Sequence, residues 1–138
     1  MKRFFLFLSF SALLLQADSY VLIANKDLKL TNISRLYLKQ IYLKKHRYFR
    51  DVKLIPVNLD VQDAARKSFE KEILKMSRNR LREFWIMQHY EGVRPPLVMH
   101  SSKSMIKFVA KIKGALGYIP EKNFSSQENV KIIYRWSD

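Results

Sequence analysis

Leu97-Val-Met-His-Ser-Ser-Lys-Ser-Met-Ile-Lys-Phe-Val-Ala-Lys-Ile-Lys-Gly-Ala-Leu-Gly-Tyr-Ile119 is the stretch that decides the fold class. It opens on a short apolar run, 97–100, that reads as a strand. Ser101 or Ser102 then offers a hydroxyl to cap a helix. Met105, Phe108, Val109 and Ile112 share one face of that helix, and Gly114 ends it. Leu116-Gly-Tyr-Ile119 is a second apolar run. A strand, a helix and a strand in so short a stretch predict an α/β layered domain.

The same alternation extends in both directions. Tyr20-Val-Leu-Ile-Ala24 is a continuous apolar run rich in β-branched residues and predicts a first, buried strand. The polar segment 25–30 reads as a turn. Ser34 caps a helix to about residue 43, with Ile33 and Leu38 as a hydrophobic staple. Leu36, Tyr37 and Ile41, with Gln40, follow its apolar spacing. Residues 44–51 form a basic, aromatic loop. Lys53-Leu-Ile-Pro-Val57 predicts a strand whose Pro56 belongs near a strand end or an edge. Asp60 or Asp63 caps a helix over 63–76 with Ala65, Phe69, Ile73 and Met76 inward. Ser77 caps another over 77–90, with Leu81, Phe84 and Trp85 inward. Gly92 stops it, and Pro95-Pro96 prevents its continuation. Residues 130–134 predict a last strand. The order is β-α-β-α-α-β-α-β-β, a mixed, mostly parallel sheet flanked by helices.

Composition narrows the function classes. The chain has 138 residues, enough for one domain with a core. Apolar types make up 48%, which excludes a disordered chain. Cysteine is absent, so disulfides, a cysteine nucleophile and thiolate metal sites are excluded. The net charge of +14 favours anionic partners. Lys2 and Arg3, followed by an apolar run over 4–15 and by Ala17, read as a signal peptide over 1–17. The run is too short for a membrane span, which needs about 20 apolar residues. The expected mature domain is 18–138. Export without cysteine points to a Gram-negative periplasm, with no transmembrane segment in the mature protein.

Four pieces, in order, resemble the phosphate-binding component of bacterial phosphate ABC transporters. Ile33-Ser-Arg-Leu-Tyr-Leu-Lys-Gln-Ile-Tyr-Leu-Lys44 is similar to that family's helix ending in I-F/Y-x-G-K. Lys53-Leu-Ile-Pro-Val-Asn58 resembles its I-x-P-V strand. The segment 69–85 resembles its F…L…W helices. Lys113-Gly-Ala-Leu-Gly-Tyr-Ile119 resembles G-A-I-G-Y-V, the most specific piece. The resemblance implies a type II periplasmic-binding-protein-like domain with a small oxyanion such as phosphate as ligand. A full-length member clamps its ligand between two lobes, and this chain is long enough for about one. In the family, the segment after P-V carries Arg and a Ser-Gly-Thr at a helix N-terminus. Here the segment is Asn58-Leu-Asp-Val-Gln-Asp-Ala-Ala65, with Asp60 and Asp63 where an anion would sit.

The remaining anion candidates are therefore few. Ser101, Ser102 and Lys103 put hydroxyls, free N–H groups and an ammonium at a helix start, unless they form an ordinary serine cap with a solvated lysine. Gln62 and Arg66 lie near the family's ligand segment, although pairing of Arg66 with Asp63 or solvent explains it equally. The cations and aromatics of 44–50 fit a solvated loop or a polyanion contact. His46, His89 and His100 stand alone and do not suggest a metal site. No nucleophile and base pair, glycine-rich nucleotide loop or carboxylate pair is evident, so neither a cofactor nor an enzymatic activity is expected. The expected function is a periplasmic, non-enzymatic solute-binding or accessory protein, with a transporter, a sensor or a second copy as partner. The alternative is a basic interaction module that has lost its ligand and docks on an acidic protein or envelope surface. The export segment argues against nucleic acid.

Overall fold

Burial explains the first strand. The computed structural model describes residues 17–126 and 128–138. The expected signal peptide lies outside the described residues except for Ala17. Strand β1, Ser19–Asn25, is buried from Tyr20 onward and needs a neighbour on each side. Those neighbours are β6, Ala115–Pro120, and β7, Val130–Ser137, both antiparallel to it. Beyond β6 lie β4, Ile55–Leu59, and the edge strand β5, Leu97–Met99, in parallel register. The sheet order is β5-β4-β6-β1-β7. β4, β5, β6 and β7 run the same way, and β1 runs against them. This is the expected mixed, mostly parallel sheet.

Pro56 sits inside this sheet without a lost hydrogen bond. The N–H of Ile55 donates to the Gly114 carbonyl at 2.8 Å, so the next nitrogen faces the other side. There β5 begins only opposite Val57. Pro56 therefore occupies the strand-end position that its missing donor requires.

Helices cover both faces. α1, Arg35–Tyr42, starts at Ser34, whose hydroxyl accepts from the Tyr37 N–H at 3.1 Å. Its buried face is Leu38, Ile41 and Tyr42. Leu36, expected inward, is exposed, because the helix is phased by the buried staple Ile33–Leu38. α2, Ala64–Ser68, is capped by Asp63. It runs into a π turn over Phe69–Leu74 instead of continuing to 76. The wider turn lets Phe69, Ile73 and Leu74 all face the core, and the chain leaves it at Lys75 with φ 55°.

α3, Arg78–Tyr90, is capped by Ser77 and ends at Gly92. The N–H groups of Gly92 and Val93 donate to the carbonyls of His89 and Gln88, and Gly92 has φ 75°. This is the glycine stop expected from the sequence. Leu81 is buried, and Phe84 and Trp85 pack partly against the core. α4, Ser102–Lys111, starts at Ser101 and buries Met105, Ile106 and Val109. Ile112, expected on that face, is extended and exposed because the helix has already ended. Gly114 serves close approach rather than helix termination. A Cβ there would lie 1.9 Å from the Lys53 carbonyl oxygen.

The expected 44–51 loop contains a small hairpin, β2, Tyr48–Phe49, against β3, Val52–Lys53, turned by Arg50 at φ 56°. The strand predicted from Lys53 is thereby split at Leu54. Along β6, Gly117 faces α4, where it meets Met105. Tyr118 faces the opposite layer, where it stacks on Phe69 at 4.3 Å and 8°. The result is a three-layer helix–sheet–helix domain.

Candidate functional site

In α/β sheets, ligands bind beyond the carboxyl ends of the strands. Here β4, β5 and β6 end at Leu59, Met99 and Pro120, with β1 beginning and β7 ending at the same edge. Tyr118 braces that edge. Its hydroxyl donates to Asn58 Oδ1 at 2.9 Å and accepts from the Leu59 N–H at 3.2 Å. Tyr42 donates to the Val57 carbonyl at 2.8 Å. Burial raises both phenols far above the usual range, so they remain neutral donors.

A cleft of about 400 Å³ opens at this edge beside α2. Its charged lining is Asp18, Asp63, Glu121 and Lys122. Asp63 Oδ1 accepts from the Ala65 N–H at 2.8 Å, so the helix start already holds a carboxylate of its own chain. The Asp138 carboxylate accepts from Tyr20 at 3.2 Å and from Ser68. Burial, and then the negative charges of Asp138, Asp18 and Asp63, push the Tyr20 hydroxyl up to about 12. In a chain of net charge +14, this cleft is acidic. Carboxylates at that position repel an oxyanion.

The sequence-predicted residues fall in three places. Ser101, Ser102 and Lys103 come together at α4, in a groove of about 570 Å³ that also includes Lys107 and Asn123. The hydroxyls there are engaged: Ser101 accepts from the Ser104 N–H at 3.0 Å, and Ser102 accepts from Asn123 at 3.0 Å. Gln62 lies in a separate groove beside α2. Arg66 is buried and belongs to neither. It donates to Glu70 at 3.1 Å and to the Leu59 carbonyl at 2.8 Å, not to Asp63 or solvent as expected. The loops after β4 and β5 are linked by Asp60 and His100, 2.7 Å apart. Among the described residues, no group of three or more His, Asp or Glu side chains is arranged to hold a metal ion.

Sequence reasoning placed Asp63 at the anion position but missed Asp18 and Glu121 in the same cleft. Asp18 and Glu121 are far apart in the chain and meet only because Tyr20 pairs with Pro120.

Solved structures share this architecture. An ABC-type phosphate transport receptor from Vibrio cholerae superposes with a TM-score of 0.69 at 22% identity, covering 85% of this chain and 46% of that one. This chain has the phosphate-binding-protein fold. A Clostridium perfringens substrate-binding protein of the phosphate ABC transporter type, with bound phosphate, gives 0.68 at 18% identity over 85% and 44% of the two chains. PstS from Borrelia burgdorferi gives 0.67 at 18% over 85% and 47%. The chain therefore spans less than half the length of each of these phosphate-binding-protein structures. No protein-family model and no curated protein matches the sequence. No helix among the described residues is long and apolar enough to cross a membrane.

Proposed function

We propose that this chain works in the periplasm as a non-enzymatic accessory protein of the phosphate-binding-protein fold. Its edge cleft takes small oxyanions weakly or not at all. The Asp63 carboxylate carries this reading, because it occupies the Ala65 N–H at the helix start and places a negative charge where an anion would sit. Asp18 and Glu121 add negative charge to the same cleft. The Ser101–Lys103 helix start is the anion site that remains, with Lys103 and Lys107 opposed by Glu128 in its groove and hydroxyls already engaged. Export follows from residues 2–17. Mass spectrometry of protein from the native host should give a mature start at or near Asp18.

A second reading rests on charge. The chain is strongly basic while its cleft is acidic, so the positive charge lies on the other surfaces. An interaction module docking on an acidic partner would have this distribution. Calorimetric titration with phosphate and sulfate tests the first reading. Orthophosphate binding tighter than about 10 µM, roughly −7 kcal/mol, by a proven monomer would overturn it.

A further inference from the structure

We propose that the groove between α2 and the start of α3 binds a phosphorylated organic anion carrying two phosphoryl groups. The groove has a volume of about 620 Å³, within the range of small-molecule sites. It is separate from the edge cleft and from the α4 groove, so the inference goes beyond the proposed function. Its charged lining is Lys67, Lys71, Lys75 and Arg78 against Glu70, four cations to one carboxylate, a net charge of +3.

Glu70 does not neutralise the lysines. It is nearly buried, with 7% of its side chain exposed, and it is already engaged by Arg66 and Arg78. Lys67, Lys71 and Lys75 form no ion pair among the described residues. They recur at intervals of four, from α2 through the π turn to the reversal that follows it. All three line the groove. At Lys75 the chain turns through φ 55°, and Met76, Ser77 and Arg78 form the facing wall. The cationic side chains therefore approach the groove from two sides.

The charge count selects the ligand class. One phosphoryl group carries about −1.5 to −2 near neutrality, so two such groups match a site of net charge +3. Val61 and Met76 provide an apolar wall for the organic body. Arg78 is half exposed, so its guanidinium can extend from Glu70 to an oxyanion. A soluble bisphosphate and a lipid headgroup with two phosphates, as in cardiolipin, share this chemistry.

The test is titration with orthophosphate, pyrophosphate and ATP, alongside vesicles of phosphatidylcholine with and without cardiolipin. Pyrophosphate should bind at least about tenfold tighter than orthophosphate. Its amide shift changes should centre on residues 61–78. Lys71→Ala with Lys75→Ala should weaken pyrophosphate binding about tenfold or more. Lys29→Ala with Lys111→Ala removes the same charge elsewhere and should change it less than about twofold. All four lysines are exposed, so the variants test binding and not folding. Preference for ATP over vesicles would identify a soluble ligand, and preference for cardiolipin vesicles would identify a headgroup. Equal losses in the two double variants would reduce the effect to net charge and overturn the inference. Failure of pyrophosphate, ATP and anionic vesicles to bind would also overturn it. Control of pyrophosphate affinity by Asp63→Ser would return it to the edge cleft and likewise overturn the inference.

Discussion

Phe69→Ala should remove the keystone of the layer that braces the edge cleft. Phe69 is fully buried, stacks on Tyr118 at 4.3 Å, and meets Tyr42 at 4.5 Å and Trp136 at 5.7 Å. Truncating a buried Phe costs about 3–5 kcal/mol through lost transfer energy and the cavity left behind. The upper half of that range applies here, because three aromatic rings lose a partner and such pairs contribute about 0.5–1.5 kcal/mol each. Domains of this size unfold with about 5–15 kcal/mol, so the variant should be close to marginal. Urea denaturation followed by circular dichroism measures the loss. Phe69→Leu, which keeps most of the volume but no ring face, should lose about 1–2 kcal/mol. Tyr118 also holds Asn58 and Leu59, so amide exchange at Leu59 should accelerate in both variants. A loss below about 1 kcal/mol in Phe69→Ala would refute the packing account of the π turn.

Other perturbations probe other links in the account. Gly114→Ala should destabilise by about 1–3 kcal/mol, because a Cβ 1.9 Å from the Lys53 carbonyl oxygen forces the chain entering β6 away from the end of β3, and thermal unfolding would register it. Glu70→Ala should cost about 3–5 kcal/mol by leaving the buried Arg66 unpaired, while Arg66→Met with Glu70→Leu should cost far less, as chemical denaturation would reveal. The Tyr20 hydroxyl ionises near 10.0 in the unfolded chain and near 12 in the fold. Its contribution is therefore complete below pH 10 and lost as pH rises toward 12, and Tyr20→Phe should flatten the alkaline decline of unfolding free energy.

Local chemistry was legible in the sequence, and long-range geometry was not. Ser34 and Ser77 cap helices as read, and Ser101 is the cap of the two serines offered, because a cap bonds only within its own first turn. β1 was legible from its unbroken apolar run, and Gly92 from the αL stop that α3 needs. The π turn was not, because its cause is the shared burial of Phe69, Ile73 and Leu74 against residues distant in the chain. Leu36 was misassigned because a short helix has little periodicity to fix its phase, and Ile112 because α4 ends at Lys111 before reaching it. The β2–β3 hairpin escaped notice because Arg50 adopts positive φ where glycine or asparagine would have signalled a turn. At the site, Asp63 was legible as a helix cap. Arg66 was misread because Asp63 and Glu70 both lie within a turn of it, and only burial selects Glu70. The lysines at 67, 71 and 75 were visible as a spacing of four, but their shared groove depends on the reversal at Lys75.

The central claim is that Asp63 closes the edge cleft to oxyanions, and comparing orthophosphate affinity in the unmodified chain and in Asp63→Ser by calorimetry tests it most directly. The carboxylate accepts the Ala65 N–H at 2.8 Å, and a serine hydroxyl can keep that bond without the negative charge. The account predicts weak or undetectable binding to the unmodified chain and a gain of about tenfold or more, ~1.4 kcal/mol, in the variant. Ser102→Ala with Lys103→Ala should weaken only whatever binding the α4 start supports. Tight orthophosphate binding by the unmodified chain, weakened by Asp63→Ser, would contradict the account.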